Sequence, residues 1–183
     1  AKKYINPEKE VNTAEDALNG AKDILAESVS DNADFRTHIR ELTMKHGQLL
    51  SAAKDPEAES VYEMYYEFNE SLSKLAGHRI LAISRGEKEK FLTVKIDAPV
   101  DRILSYLDRK LITAPSAPTA AVLHEVTEDA YNRLIAPAIE REIRNDLFEK
   151  AEDGAIRVFG KNLEQLLMQP PIAGQVVLGR DPA

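Results

Sequence analysis

Apolar residues at helical spacing fill most of the chain, and this spacing constrains the fold more than any other feature of the sequence. Residues three and four apart share one face of an α-helix, so each such stripe predicts a helix that buries that face. Stripes of this kind lie in residues 13–28, 31–45, 74–85, 100–111 and 126–167. Gly86 is predicted to end the third helix, and Pro137 and Gly154 to interrupt the last one. The pattern therefore predicts a mainly α fold, a multi-helix scaffold.

Two short segments depart from the helical pattern and predict a small β element. Residues 91–96 form a run of β-branched and large apolar side chains after a charged turn, which is typical of a strand. Because a lone strand is not stable, it requires a partner, and residues 48–51 are the nearest candidate. A second apolar run, residues 175–179, predicts a terminal strand.

Charge and composition narrow the class of protein. The 183 residues include 24 basic and 31 acidic side chains, a net charge of −7, so the overall field does not favour nucleic acid. The absence of cysteine excludes disulfides, thiolate nucleophiles and zinc sites built from thiolates. No apolar run approaches the roughly 18 residues that a membrane helix needs. We therefore expect a cytoplasmic protein that does not contact a membrane.

The histidines do not form a catalytic or metal-binding pattern. His38 and His46 lie eight residues apart on one predicted helix, about 12 Å along its axis, which is too far for both to bind one metal ion. The sequence contains no glycine-rich phosphate loop, nucleophile elbow or zinc-binding helix motif. We therefore predict that the chain is not an enzyme, has no catalytic residue, and uses neither a metal nor a cofactor.

The charged side chains of the last helix predict a solvated surface. Acidic and basic residues are interspersed there, and some opposite charges lie four positions apart, which is the spacing of ion pairs within one helix. These residues are Glu140, Arg141, Glu142, Arg144, Asp146, Glu149 and Lys150. The sequence therefore predicts pairs formed along this helix rather than a binding site.

One segment reverses the acidic balance of the chain. Between residues 74 and 95, six basic side chains oppose Glu87 and Glu89, a net charge of +4. Phosphate contacts require clustered cations, so this segment holds the candidate nucleic-acid-binding residues. The candidates are Arg79, Arg85, Lys88 and Lys90. The alternatives are a surface that docks an acidic neighbouring domain and a surface that is only solvated.

Four parts of the sequence together resemble the Tex family of bacterial transcription accessory proteins. They are Tyr4–Ile5 followed by Glu15–Glu27, then Gly77–Glu87, then Ala155–Leu163 with Pro170-Pro171, and finally Val177–Pro182. The resemblance covers nearly the whole chain in the expected order, and residues 48–73 and 97–125 match least. The chain departs from the family pattern at Ala183, where the family commonly has glycine after Asp-Pro.

The resemblance implies an internal fragment of a cytoplasmic, multi-domain protein that binds nucleic acid. Residues 1–170 would form a helical scaffold from the family's N-terminal region, and residues 171–183 would begin a truncated YqgF-type, RNase-H-like domain. The family's RNA-binding OB-fold module would lie further downstream. The implied function is to position modules through which the full-length protein binds RNA or DNA in transcription regulation.

Two other functions stay open at this point. In one, the chain is an interaction domain that docks RNA polymerase or another factor through a helical groove. In the other, the apolar strand that ends at Asp181 begins a metal-dependent RNase-H-like nuclease, because a carboxylate on the first strand helps to hold the divalent ion in such enzymes. A single carboxylate cannot hold the ion alone, and the residues favour an ordinary Asp-Pro turn after a strand as the explanation of Asp181.

Overall fold

Helices make up most of the computed structural model, which describes residues 2–6, 11–170 and 174. The α-helices are α1 (Ala14–Ser30), α2 (Ala33–His46), α3 (Gly77–Lys88), α4 (Val100–Leu111), α5 (Ala120–Asp129) and α6 (Ala136–Leu167). The strands are β1 (Gln48–Ala53), β2 (Glu67–Ser71) and β3 (Leu92–Asp97). Short 3₁₀ turns cover Lys2–Tyr4 and Glu63–Tyr65, and a π-helix covers Ala130–Ile135. The predicted mainly α fold with a small β element is confirmed.

The first two helices begin at side chains that cap them, Thr13 and Asn32. The Thr13 hydroxyl accepts from the Asp16 N–H at 3.0 Å, and the Asp16 carboxylate accepts from the Thr13 N–H at 2.9 Å. The Thr13 hydroxyl, followed by the backbone N–H groups of Thr13 and Asn12, lowers the pKa of the Asp16 carboxyl. Asn32 caps α2 in the same way, accepting from the Phe35 N–H at 3.0 Å. These caps satisfy N–H groups that the first turn of a helix leaves unpaired.

The three strands form one antiparallel sheet in the order β2–β1–β3. The predicted pairing of residues 48–51 with 91–96 is confirmed, since Leu49 lies opposite Ile96. The sequence did not predict β2, in which Phe68 is the only large apolar residue. An edge strand has one side unpaired and tolerates this polar composition, so its sequence signal is weak. The predicted strand at 175–179 lies outside the described residues.

Helix α3 runs from Gly77 to Lys88, so the prediction that Gly86 ends it is wrong. Gly86 is a buried interior position, where a Cβ atom would lie 2.7 Å from Leu92 Cδ1 and 3.1 Å from Tyr62 Cδ1. Glycine therefore permits the close approach of α3 to β3 at this point. The chain turns instead at Lys90, which adopts the left-handed region with a φ of 68°.

Residues 120–167 form one continuous helical run, in which the π-helix separates α5 from α6. The Ala136 N–H donates to the Tyr131 carbonyl, five residues back, and Pro137 follows directly. The irregularity predicted at Pro137 takes this form, because proline lacks the N–H of a regular turn. The predicted interruption at Gly154 is wrong, since α6 continues through it without a break.

Helix α6 belongs to the core over only half its length. Its buried positions recur every four residues and end at Ala151, where Gly77 of α3 packs against it. They are Ile139, Ile143, Leu147 and Ala151. From residue 152 to 170 every side chain is exposed. No described helix is long and apolar enough to cross a membrane.

Candidate nucleic-acid interface

The four cations predicted from the sequence lie on α3 and in the turn after it, but they are not equivalent. Arg79 is engaged by the edge of the sheet, since its Nη1 lies 2.7 Å from Glu70 Oε2. Its guanidinium also lies 5.9 Å from the centre of the Phe68 ring. Because Glu70 balances its charge, Arg79 is the least suited of the four to contact phosphate.

Arg85, Lys88 and Lys90 are exposed, and within residues 2–6 and 11–170 no carboxylate lies at ion-pair distance from them. The two acidic residues near them are engaged elsewhere. Glu87 pairs with Arg144 of α6. Glu89 accepts a hydrogen bond from the Tyr62 hydroxyl. The burial of Tyr62, together with this bond, raises the pKa of the phenol. This end of α3 therefore presents three cations to solvent.

Helix α6 does not pair its charges along its own length, so that prediction is wrong. Arg36 of α2 lies 2.6 Å from Glu142, and Arg40 of α2 pairs with Asp146. Glu140 accepts from the backbone N–H of Ile96 at 3.2 Å. These three acidic side chains of α6 thus bind the elements packed against the helix.

Arg141 of α6 is left without a carboxylate partner in the part of the chain that the structure describes, and it is exposed. Sequence reasoning missed this residue because it assumed partners on the same helix. Arg141 faces the same side of the molecule as Lys88, whose Nζ lies 4.9 Å from the centre of the Phe148 ring. The unpaired cations of α3 therefore continue onto α6.

A groove of about 580 Å³ lies between α3, α6 and the sheet, and we call it the α3–α6 groove. Its floor is apolar, and its rim is formed by charged and polar side chains. The floor residues are Leu49, Ile80, Ile83, Val94, Leu147 and Phe148. The rim residues are Glu87, Lys88, Glu140, Arg141, Arg144 and Asn145.

Two of the four histidines, His38 and His124, pack or pair with neighbouring side chains. The His38 ring stacks on Tyr106 with centres 4.0 Å apart, and His124 Nδ1 lies 2.8 Å from Asp108 Oδ2. Among the residues described, no three histidine, aspartate or glutamate side chains converge on a point that could hold a metal ion. Asp181, the residue on which the nuclease alternative depends, lies outside the described residues.

Comparison with known proteins identifies the family. The family model described as "Tex central region-like" matches residues 1–159. The chain therefore belongs to the Tex family, as its sequence resemblance predicts. It is 36% identical to protein tex of Bordetella pertussis over all of this chain and 25% of that protein.

Two further relatives extend the comparison. An uncharacterized protein, YdcI, of Bacillus subtilis is 50% identical over all of this chain and 26% of its own length. The human S1 RNA-binding domain-containing protein 1 is 32% identical over 98% of this chain and 20% of its own length. The chain thus spans about a quarter or less of the curated relatives that it matches.

Proposed function

We propose that the chain is a scaffold segment of a transcription accessory factor, whose helical body positions nucleic-acid-binding modules located elsewhere in the full-length protein. Membership of the Tex family supports this role, as does the name of the human relative, which refers to RNA binding. The proposal assigns no catalytic step to these residues. Its single strongest support is the division of α6 into a buried and an exposed half.

The exposed half of α6 extends away from the core and carries apolar side chains. From residue 152 to Leu167 it spans about 23 Å at 1.5 Å per residue. Ile156, Phe159 and Leu167 are 68%, 67% and 75% exposed. Exposed apolar surface of this extent is typical of a contact region. We infer that this half is an arm against which other parts of the full-length protein pack.

The cations of α3 give the scaffold a weak phosphate-binding surface of its own. Arg85, Lys88 and Lys90 supply it, with a smaller contribution from Arg79 because of its pairing with Glu70. The chain as a whole carries a net charge of −7, which opposes binding to a polyanion. The surface therefore assists modules elsewhere in the protein and does not bind tightly alone.

Reversing two of these charges is expected to weaken RNA binding and its dependence on salt. A labelled 20-nucleotide oligouridine is titrated with the chain by fluorescence anisotropy at several salt concentrations. Each phosphate contact on a single strand contributes about 0.7 to the slope of log K against log salt. The double substitution Arg85→Glu and Lys90→Glu should therefore make that slope shallower by about 1.4.

The matched control reverses Arg157 and Lys161, two exposed cations on the arm, which changes the net charge by the same amount. This control should keep the wild-type slope. Binding that is insensitive to both salt and the Arg85/Lys90 pair would refute the phosphate surface. Equal losses in both double variants would assign the effect to net charge rather than to a site on α3.

The second candidate function is docking of RNA polymerase or another protein factor. The observation that favours it is the α3–α6 groove, since an apolar floor with a charged rim is typical of protein-recognition sites. In nuclease-treated extract, the chain would retain polymerase under this alternative. Loss of the polymerase on nuclease treatment would leave nucleic acid as the link between the two.

A further inference from the structure

We propose that the α3–α6 groove binds a helical segment of a partner protein that combines apolar side chains with carboxylates. This inference rests on the second candidate function, since it concerns the same groove, and it shares only Lys88 with the phosphate surface on α3. Three features of the groove support it: the composition of its floor, the charge of its rim and its length.

The floor of the groove is apolar and only partly open, since Ile80 and Phe148 are half-buried and the other floor side chains are buried. Leu49 and Val94 come from the sheet, Ile80 from α3, and Leu147 and Phe148 from α6. Elements from three directions therefore form a single concave surface. Such surfaces take the apolar face of a helix, which inserts side chains at positions i, i+3, i+4 and i+7.

The rim of the groove selects negative charge. Both acidic residues there are already engaged, Glu87 by Arg144 and Glu140 by the backbone of β3. Arg141 and Lys88 have no carboxylate partner among the described side chains, and both are exposed. A ligand carboxylate would supply that partner in charge-assisted hydrogen bonds. A basic ligand would instead face uncompensated repulsion.

The length of the groove fits a peptide better than a small molecule. Its lining on α6 runs from Pro137 to Phe148, which is about 16 Å along the axis. A helix of about eleven residues has that length, with three turns to place apolar side chains on the floor. The groove is also open to solvent along its rim, where Asn145 is exposed.

Peptide selection tests this proposal even though the partner protein is unidentified. A displayed library of random 16-residue peptides is selected on the chain, and the enriched peptides are synthesised and titrated by anisotropy. We expect enriched sequences to combine acidic residues with leucine, isoleucine or phenylalanine at helical spacing. Arg141→Glu should weaken their binding at least tenfold. Asn145→Trp should weaken it too, because the indole fills the groove without changing its charge.

The control is Arg157→Glu, the same charge change on the exposed arm of the same helix, which should leave affinity within twofold of wild type. Thermal melts monitored by circular dichroism verify that each variant folds. Failure to enrich peptides, or enriched peptides insensitive to both groove substitutions, would overturn the proposal.

Other occupants of the groove give distinct results. Concentration-dependent self-association that Arg141→Glu abolishes would assign the groove to a second copy of this chain. Oligouridine binding that Asn145→Trp abolishes would assign it to nucleic acid. Either result would overturn the proposal of an acidic protein segment.

Discussion

Replacing Ile143 by alanine is expected to lower the free energy of unfolding by about 2–5 kcal/mol, the range for removing a large aliphatic side chain from a core. Ile143 is 0% exposed and lies midway along the buried half of α6. The substitution removes three carbon atoms and leaves a cavity that neighbouring helices cannot fully close. Equilibrium urea unfolding, followed by circular dichroism, measures the change.

Ile156 provides the matched control on the same helix. It is the same residue type but is 68% exposed. Its replacement by alanine should change stability by less than about 0.5 kcal/mol, as for a surface substitution. A large loss at Ile156 would mean that the arm is packed within the chain, contrary to the division of α6. A negligible loss at Ile143 would contradict the described core.

Replacing Gly86 by alanine is expected to destabilise the chain, although alanine favours helices. The new Cβ would lie 2.7 Å from Leu92 Cδ1 and 3.0 Å from Leu92 Cγ. Leu92 is 0% exposed and cannot move away freely. Overpacking of this kind costs about 1–3 kcal/mol, whereas the gain in helix propensity is at most about 1 kcal/mol. Urea unfolding should therefore show a net loss.

Gly154 is the control that separates the effect of packing on stability from the effect of helix propensity. It also lies inside a helix, but a Cβ added there would meet no atom within 4 Å. Gly154→Ala should raise stability by up to about 1 kcal/mol. The two substitutions are chemically identical and should have opposite signs. If Gly86→Ala were stabilising as well, the close contact between α3 and β3 would be absent.

Local sequence signals were sufficient where a structure depends on neighbouring residues. The stripes predicted helices from about residues 13 and 31, and the helices do begin there, next to the capping side chains of Thr13 and Asn32. The apolar run at 91–96 and its partner at 48–51 were also correct, since each strand has enough β-branched or aliphatic residues to be recognised. The basic character of the segment around α3 likewise follows from the sequence alone.

Contacts between distant residues were not predictable from local patterns. Arg36 and Glu142 are 106 positions apart, so the spacing rules for a single helix could not pair them. The same rules could not show that Glu70 engages Arg79. The prediction that Gly86 ends α3 was wrong for a related reason. Glycine is common at the ends of helices, but here its lack of a side chain permits close packing against Leu92, a contact that local sequence does not show.

Helix α6 joins a packed body to an exposed arm, and backbone amide hydrogen exchange tests this division most directly. Exchange is followed by mass spectrometry on peptides from both halves of the helix, at a concentration where the chain is monomeric. Amides in residues 139–151 should exchange only through opening that approaches global unfolding, and those in 156–167 should exchange orders of magnitude faster. Equal, strong protection of both halves would contradict the account.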